Sequence, residues 1–210
     1  MRFTLLSALF LLATAAACGA EADEEIARLA GVIELAPGMT VADIGAGDGS
    51  FAVELAEAVG AEGRVYATEI EAEKREEIAA TAAEAGVTNV EVREAKVDAT
   101  NLPDGCCGAI WMRHVYHHLT DPGAVNAGVF RALEPGGFFV VVDFPPTWYL
   151  SFFEVEGVGE SRGGHGITPE AALAELRAAG FSEVRVIEDW NARWIGPSSY
   201  ALVLRKGEAR

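Results

Sequence analysis

Positive charge is what this sequence has least of. Sixteen Lys and Arg face 32 Asp and Glu, for a formal net charge of -16. A protein that grips nucleic acid through a basic face needs the opposite balance, because neutralising phosphates dominates such binding. Nucleic acid is therefore not the expected partner. Cysteine is scarce too: only Cys18, Cys106 and Cys107. Adjacent cysteines seldom reach the Cα separation and dihedral of a disulfide, so no disulfide framework is expected. The chain has no internal repeat and no linker-like stretch. Its 210 residues suit one domain with a sizeable core. A hydrophobic content of 50% with 23 Gly suits a packed α/β protein.

The first eighteen residues stand apart. Met1-Arg2 is a short positive start, and Phe3 to Ala17 is an uncharged, mostly apolar run. The run is too short to span a bilayer, which takes about 20 residues. Small residues close it at Ala15-Ala16-Ala17-Cys18-Gly19. This is the layout of a secretory signal peptide. Two readings of its boundary stand. Ala15-x-Ala17 fits ordinary signal peptidase. The small-small-Cys ending is similar to a bacterial lipoprotein box with Cys18 as the lipidated residue, although Ala15 stands where such a box usually has Leu. The lipoprotein reading is favoured because it gives Cys18 a use. The expected location is exported, periplasmic or lipid-anchored, with membrane contact only through a lipid on Cys18.

From residue 24 onward, helical and strand patterns alternate. Ile26, Leu29 and Ile33 mark an amphipathic helix over Glu24–Leu35. Strands are predicted at Met39–Ile44, whose continuous apolar run suggests burial on both faces, at Arg64–Glu69, again ending in an acid, at Ala109–Met112, and at Phe138–Asp143, the most apolar of all. Asn89–Glu94 alternates as a further strand. Helices are predicted over Ser50–Val59, over Glu71–Ala85 with Gly86 as its stop, and from Asp121-Pro122 to Leu133. Thr168-Pro169-Glu170 opens another helix, with Thr as N-cap and Pro at the first helical position. Two late strands, Glu183–Asp189 and Tyr200–Leu204, are joined by a loop only and should pair antiparallel. The predicted fold is a Rossmann-like, doubly wound α/β sheet, mostly parallel, with an antiparallel C-terminal hairpin at one edge.

The first strand runs into Asp43-Ile44-Gly45-Ala46-Gly47-Asp48-Gly49-Ser50. Ligands of open α/β sheets lie beyond the carboxyl ends of the strands, so this turn is the expected cradle. A P-loop is excluded, because no Gly-Lys-Ser/Thr follows. The dinucleotide pattern G-x-G-x-x-G fails at Ser50, and Gly49 falls one residue early. Asp43, Glu69 and Asp98 each fall at or just after a strand's carboxyl end, and Asp48 lies in the turn. Four carboxylates would repel a pyrophosphate. They suit a phosphate-free ligand with positive charge and a sugar diol, such as S-adenosylmethionine.

On these residues the stretch from about 36 to 143 resembles a class I S-adenosylmethionine-dependent methyltransferase. Asp43-Ile-Gly45-Ala-Gly47-Asp-Gly49 matches the family's first motif. Glu69 matches the acid that binds the ribose hydroxyls, and Asp98, followed by Ala99 and Leu102-Pro103, the acid near the adenine amino group. Arg113 to Leu119 resembles the segment after the fourth strand, and Pro135-Gly136-Gly137 the turn before the fifth. The resemblance implies a methyltransferase domain over residues 22–210, with S-adenosyl-L-methionine as cofactor and a small-molecule methyl acceptor. It implies cofactor contacts from Asp43, Gly45, Ala46, Gly47, Ser50, Glu69, Ile70, Asp98, Ala99 and Arg113.

Methyl transfer relies mostly on proximity and alignment. A base is needed only if the acceptor must lose a proton. His114, Tyr116 and His117 follow the fourth strand, where acceptors sit in this family, and are the catalytic candidates, with His114 preferred. His118 is expected to pack at a helix start. His165 lies in a Gly-rich loop that could come over the site. No metal site is expected, since His117 and His118 are adjacent and diverge on a helix. Cys106-Cys107 reads as filler before the fourth strand. Trp148 to Phe153 reads either as an apolar acceptor pocket or as an edge of the core. An alternative reading is an exported, non-catalytic S-adenosylmethionine- or nucleoside-binding protein of the same fold, because this cofactor is made in the cytoplasm. A nicotinamide enzyme is disfavoured by Ser50 and the four acids.

Overall fold

The computed structural model describes residues 25–146, 166–191 and 198–207. The signal-like segment, His165 and the aromatic run Trp148 to Phe153 lie outside the described residues.

The order of elements follows the alternation in the sequence. Helix α1 covers residues 25–33. Then come β1 (Thr40–Ile44), α2 (Ser50–Val59), β2 (Arg64–Glu69), α3 (Ala72–Ala85), β3 (Val90–Glu94) and β4 (Cys107–Arg113). A single 3-10 turn, Tyr116–His118, precedes α4 (Pro122–Ala132), β5 (Leu133–Asp143), α5 (Pro169–Ala178), β6 (Ser182–Asn191) and β7 (Ser199–Arg205). The seven strands form one sheet in the order β3-β2-β1-β4-β5-β7-β6. β1 to β5 are parallel, while β7 runs antiparallel between β5 and β6. The predicted doubly wound sheet with its C-terminal hairpin is therefore the observed fold.

Successive side chains of a strand point to opposite faces. Val41, Ala109, Trp111, Val140 and Val142 meet Leu29, Phe51, Leu55 and Ile78 from α1, α2 and α3 on one face. Ala42, Ile44, Ile110, Met112, Phe139 and Val141 meet Val125, Val129, Leu173 and Leu176 from α4 and α5 on the other. Trp111 and Phe51 pack edge to face, with centroids 5.2 Å apart, a contact of about 0.5–1.5 kcal/mol beyond its buried area.

The helix starts follow local chemistry. Asp121 accepts from the Ala124 N–H at 3.0 Å and Pro122 takes the first helical position. Thr168 does the same for α5, accepting from Ala171.

Two expectations need correction. β5 begins at Leu133, earlier than predicted, with Pro135-Gly136-Gly137 inside it. Between the pairs Cys107↔Leu133 and Ala109↔Phe138 the register shifts, so the turn survives as a bulge, with Gly136 at φ 79. Cys106 and Cys107 are joined by a disulfide between neighbours. The expectation of no disulfide is overturned where β4 starts.

Candidate active site at the carboxyl ends of the strands

The turn after β1 has the shape its glycines permit. Gly45, Gly47 and Gly49 have φ of 73, 59 and 83, the left-handed region. Two of them are also crowded. A Cβ on Gly45 would stand 2.5 Å from Val115 Cγ2, and one on Gly49 would stand 2.8 Å from the Ile78 Cα. Gly49 thus lets α2 and α3 approach. The Gly45 and Ala46 N–H groups both donate to the Thr68 carbonyl, at 2.9 and 3.1 Å, which ties the turn to β2.

Glu69 bridges the same two elements by its side chain. Its carboxylate accepts from the Gly47 N–H at 3.3 Å and the Ile70 N–H at 2.7 Å. Beside it opens a cavity of about 390 Å³, lined by Ile44, Gly45, Glu69, Ile70, Ala99, Thr100, Val115, His118 and Leu119 among others. That volume lies in the range of small-molecule sites, about 300–1,000 Å³. Its walls are mostly apolar with a carboxylate at one side, which fits a nucleoside whose base is buried and whose diol is hydrogen-bonded.

Asp43 ends β1 on the face covered by α1 and α2. It is 3% exposed. Burial raises its pKa to about 7, the positive charge of Arg113 opposes the rise, and Glu25, Glu69 and Asp48 add to it. Arg113 lies over the Phe51 ring, 4.3 Å from its centroid, and pairs with Glu25 at 3.0 Å. For Asp48, burial works to raise the pKa, but hydrogen bonds from the Ser50 N–H (3.0 Å) and hydroxyl (2.8 Å) outweigh it and hold the group low. Ser50 is thus engaged with Asp48 at the start of α2.

The structure brings together most of the predicted cofactor residues. Gly45, Glu69, Ile70 and Ala99 line the cavity. Asp43, which feels the charge of Arg113, lies beside the glycine turn that Ala46, Gly47 and Ser50 complete. Asp98 is placed differently. It is exposed, on a tight turn closed by hydrogen bonds between Lys96 and Ala99, while its neighbours Val97 and Ala99 line the cavity.

The catalytic candidates separate. Tyr116 is fully buried in the core beneath α4 and α5, where its hydroxyl donates to Glu175 at 3.0 Å and accepts from Asn126 at 2.7 Å. These bonds give it a structural role. His114 takes a left-handed φ of 56, and its Nε2 lies 3.0 Å from Ser199 Oγ of β7. His117 is buried. Its backbone N–H and its Nδ1 both reach the Asp143 carboxylate, at 3.0 and 2.8 Å. The Phe144 N–H donates to the same carboxylate at 2.9 Å. The rings of His118 and Phe144 flank His117, 4.0 and 4.9 Å away. His118 itself is exposed and lines the cavity, rather than packing at a helix start.

Sequence reasoning did not single out Asp143, Glu25 or Ser199. Asp143 carried a readable signal, since it is an acid at the end of an apolar strand, the sign that drew attention to Asp43 and Glu69. Glu25 and Ser199 carried none, because their partners lie 88 and 85 residues away in the chain.

Known proteins with the same features agree. Residues 42–141 match the methyltransferase domain family. Nocamycin O-methyltransferase from Saccharothrix syringae is 31% identical over 199 residues, which is 84% of this chain and 70% of that one. The ubiquinone/menaquinone biosynthesis C-methyltransferase from a Marinomonas strain is 30% identical over 108 residues, 51% of this chain and 43% of that one. The solved S-adenosylmethionine-dependent methyltransferase from Aquifex aeolicus shares the fold, with a TM-score of 0.69 at 23% identity over 85% of this chain and 87% of that one. The glycine turn, Glu69 beside it and the apolar cavity fit S-adenosylmethionine as the cofactor, and the chain belongs to the class I S-adenosylmethionine-dependent methyltransferases.

Proposed function

We propose that this domain methylates a hydroxyl oxygen of a small organic acceptor, with His117 as the base. The pairing of His117 with Asp143 carries this reading. When bound, the cofactor supplies a methyl carbon already activated by its sulfonium. A hydroxyl group is a weak nucleophile until its proton leaves, so this chain's own task is to remove that proton in place. Asp143 holds the proton on His117 Nδ1, which makes Nε2 the basic nitrogen and fixes the ring. Asp143 is in turn held by backbone N–H groups of His117 and Phe144. The relative with the longer match supports oxygen over carbon: it covers 84% of this chain and is named an O-methyltransferase. The relatives named above are methyltransferases, which lends no support to a binding-only role.

A panel of phenols, enols and sugar-like alcohols, assayed with S-adenosylmethionine, tests the proposal. Product mass should rise by one methyl group, and NMR should place it on oxygen. His117→Ala should bind cofactor normally and lose turnover. Methylation at carbon, or an unimpaired His117→Ala, would sink the assignment.

We further infer that the domain works outside the cytoplasm. The Met1–Cys18 segment, with the layout of an export signal, supports this. Fractionation with fatty-acid labelling tests it. Label should appear in the wild type and vanish in Cys18→Ala, and a purely cytoplasmic chain would refute it.

A further inference from the structure

Helix α1 contributes one acid to the interior. Glu25 is 5% exposed. One of its oxygens accepts from Arg113 Nη1 at 3.0 Å, and the other accepts from the Trp190 indole N–H at 2.8 Å. Arg28, further along the same helix, donates to the Trp190 carbonyl. The Phe51 ring supports the guanidinium of Arg113 from α2. Four elements thus meet at one cation: β4 carries it, α2 stacks on it, and α1 grips it with an acid that β6 also holds. Asp43, near the end of β1, feels this cation together with the charges of Glu25, Glu69 and Asp48. A fixed cation has been placed inside a cluster of carboxylates, next to the glycine turn.

We propose that Glu25 is a positioning residue for the amino-acid end of the cofactor, holding the Arg113 guanidinium beside Asp43 so that an ammonium and a carboxylate each meet an opposite charge. This rests on the family's cofactor and adds what in this chain selects its zwitterionic end. A group with two charges needs both signs presented at a fixed spacing. Arg113 is long, and beyond its stacking on Phe51 it is Glu25 that sets the direction of its guanidinium.

Two ligands separate this role from a merely structural one. S-adenosylhomocysteine carries the amino-acid end, and 5′-deoxy-5′-methylthioadenosine lacks it. Calorimetry on the full mature chain should show that Glu25→Gln weakens S-adenosylhomocysteine roughly tenfold, the size of one misplaced charge-assisted hydrogen bond. Methylthioadenosine should bind within about twofold of wild type, since that same hydrogen bond is not at stake. Equal losses for both ligands would mean that Glu25 only docks α1, and would overturn the proposal. No loss for either would overturn it too. If Glu25→Gln does not fold, Glu25→Asp keeps the charge and shortens its reach, and an unchanged ratio of the two affinities is then the overturning result. A wild-type chain that binds neither ligand would instead remove the cofactor assignment itself.

Discussion

The two halves of the site are built differently. The cofactor half is local: a turn of five residues between β1 and α2, and one acid at the end of β2. The half around His117 is assembled from distant segments. Asp143 lies 26 residues from His117, and Ser199 lies 85 residues from His114. The first half depends on backbone conformation, and the second on side-chain placement by the packed sheet. The pleat also separates them. Asp43 and Arg113 share the face covered by α1 and α2, whereas Asp143 follows Val141 onto the face of α4 and α5. One half therefore concentrates charge near α1, while the other pairs an imidazole with a carboxylate near the 3-10 turn.

The sharpest break in this comparison is chemical. Asp143→Asn keeps the shape of the second half but no longer holds Nδ1 protonated. Turnover should fall by about 10²–10⁴ while cofactor affinity stays near wild type. A parallel collapse of affinity would show that the halves are not independent, and steady-state kinetics beside calorimetry distinguishes the outcomes.

The converse break is conformational. Gly49→Val puts a branched side chain at φ 83 and a Cβ 2.8 Å from the Ile78 backbone. A loss of about 3 kcal/mol in unfolding free energy is expected, from left-handed strain and the forced parting of α2 and α3. Urea unfolding measures it, and a loss below about 1 kcal/mol would show that the helices yield easily.

Asp43 sharpens the comparison through pH. Its folded pKa of about 7 lies above the ordinary carboxylate value. The folded state therefore keeps a proton that the unfolded chain releases. The stability contributed is full below about pH 4 and is lost as pH rises to 7, by about 1.4 kcal/mol per unit at most. Asp43→Asn should flatten that slope in unfolding curves taken from pH 5 to 8. A cationic ligand favours the ionised form, so cofactor affinity in the wild type should rise over the same range. An affinity independent of pH would show that Asp43 does not feel the ligand.

The smallest effect belongs to Ser199. Ser199→Ala removes the hydroxyl beside His114 Nε2, and a change of about 1 kcal/mol or less is expected in stability. If turnover fell as far as in Asp143→Asn, His114 would replace His117 as the base.

Much of this architecture was legible beforehand. The bounds of α2 and β2 are those read from the sequence, because a glycine turn, an apolar run and a terminal acid are local signals. Errors came where a long-range contact decided. Pro135-Gly136-Gly137 reads locally as a turn and puts the start of β5 at Phe138, yet pairing of Leu133 with Cys107 extends the strand around it. The neighbours of Tyr116 in the sequence suggest catalysis, and only the fold shows that Asn126 and Glu175 engage its hydroxyl. Nothing around His114, His117 and His118 in the sequence shows that the buried acid Asp143 pairs with His117.

What the sequence by itself determined is the alternation of strand and helix, the left-handed glycines and the acids at the strand ends. Each depends on a residue and its nearest neighbours. Only the tertiary structure decided which partners each acid meets: Asp143 with His117, and Glu25 with Arg113 and Trp190. Those pairs form because the fold packs a helix and a turn against distant strand ends, and a buried charge must find its partner there.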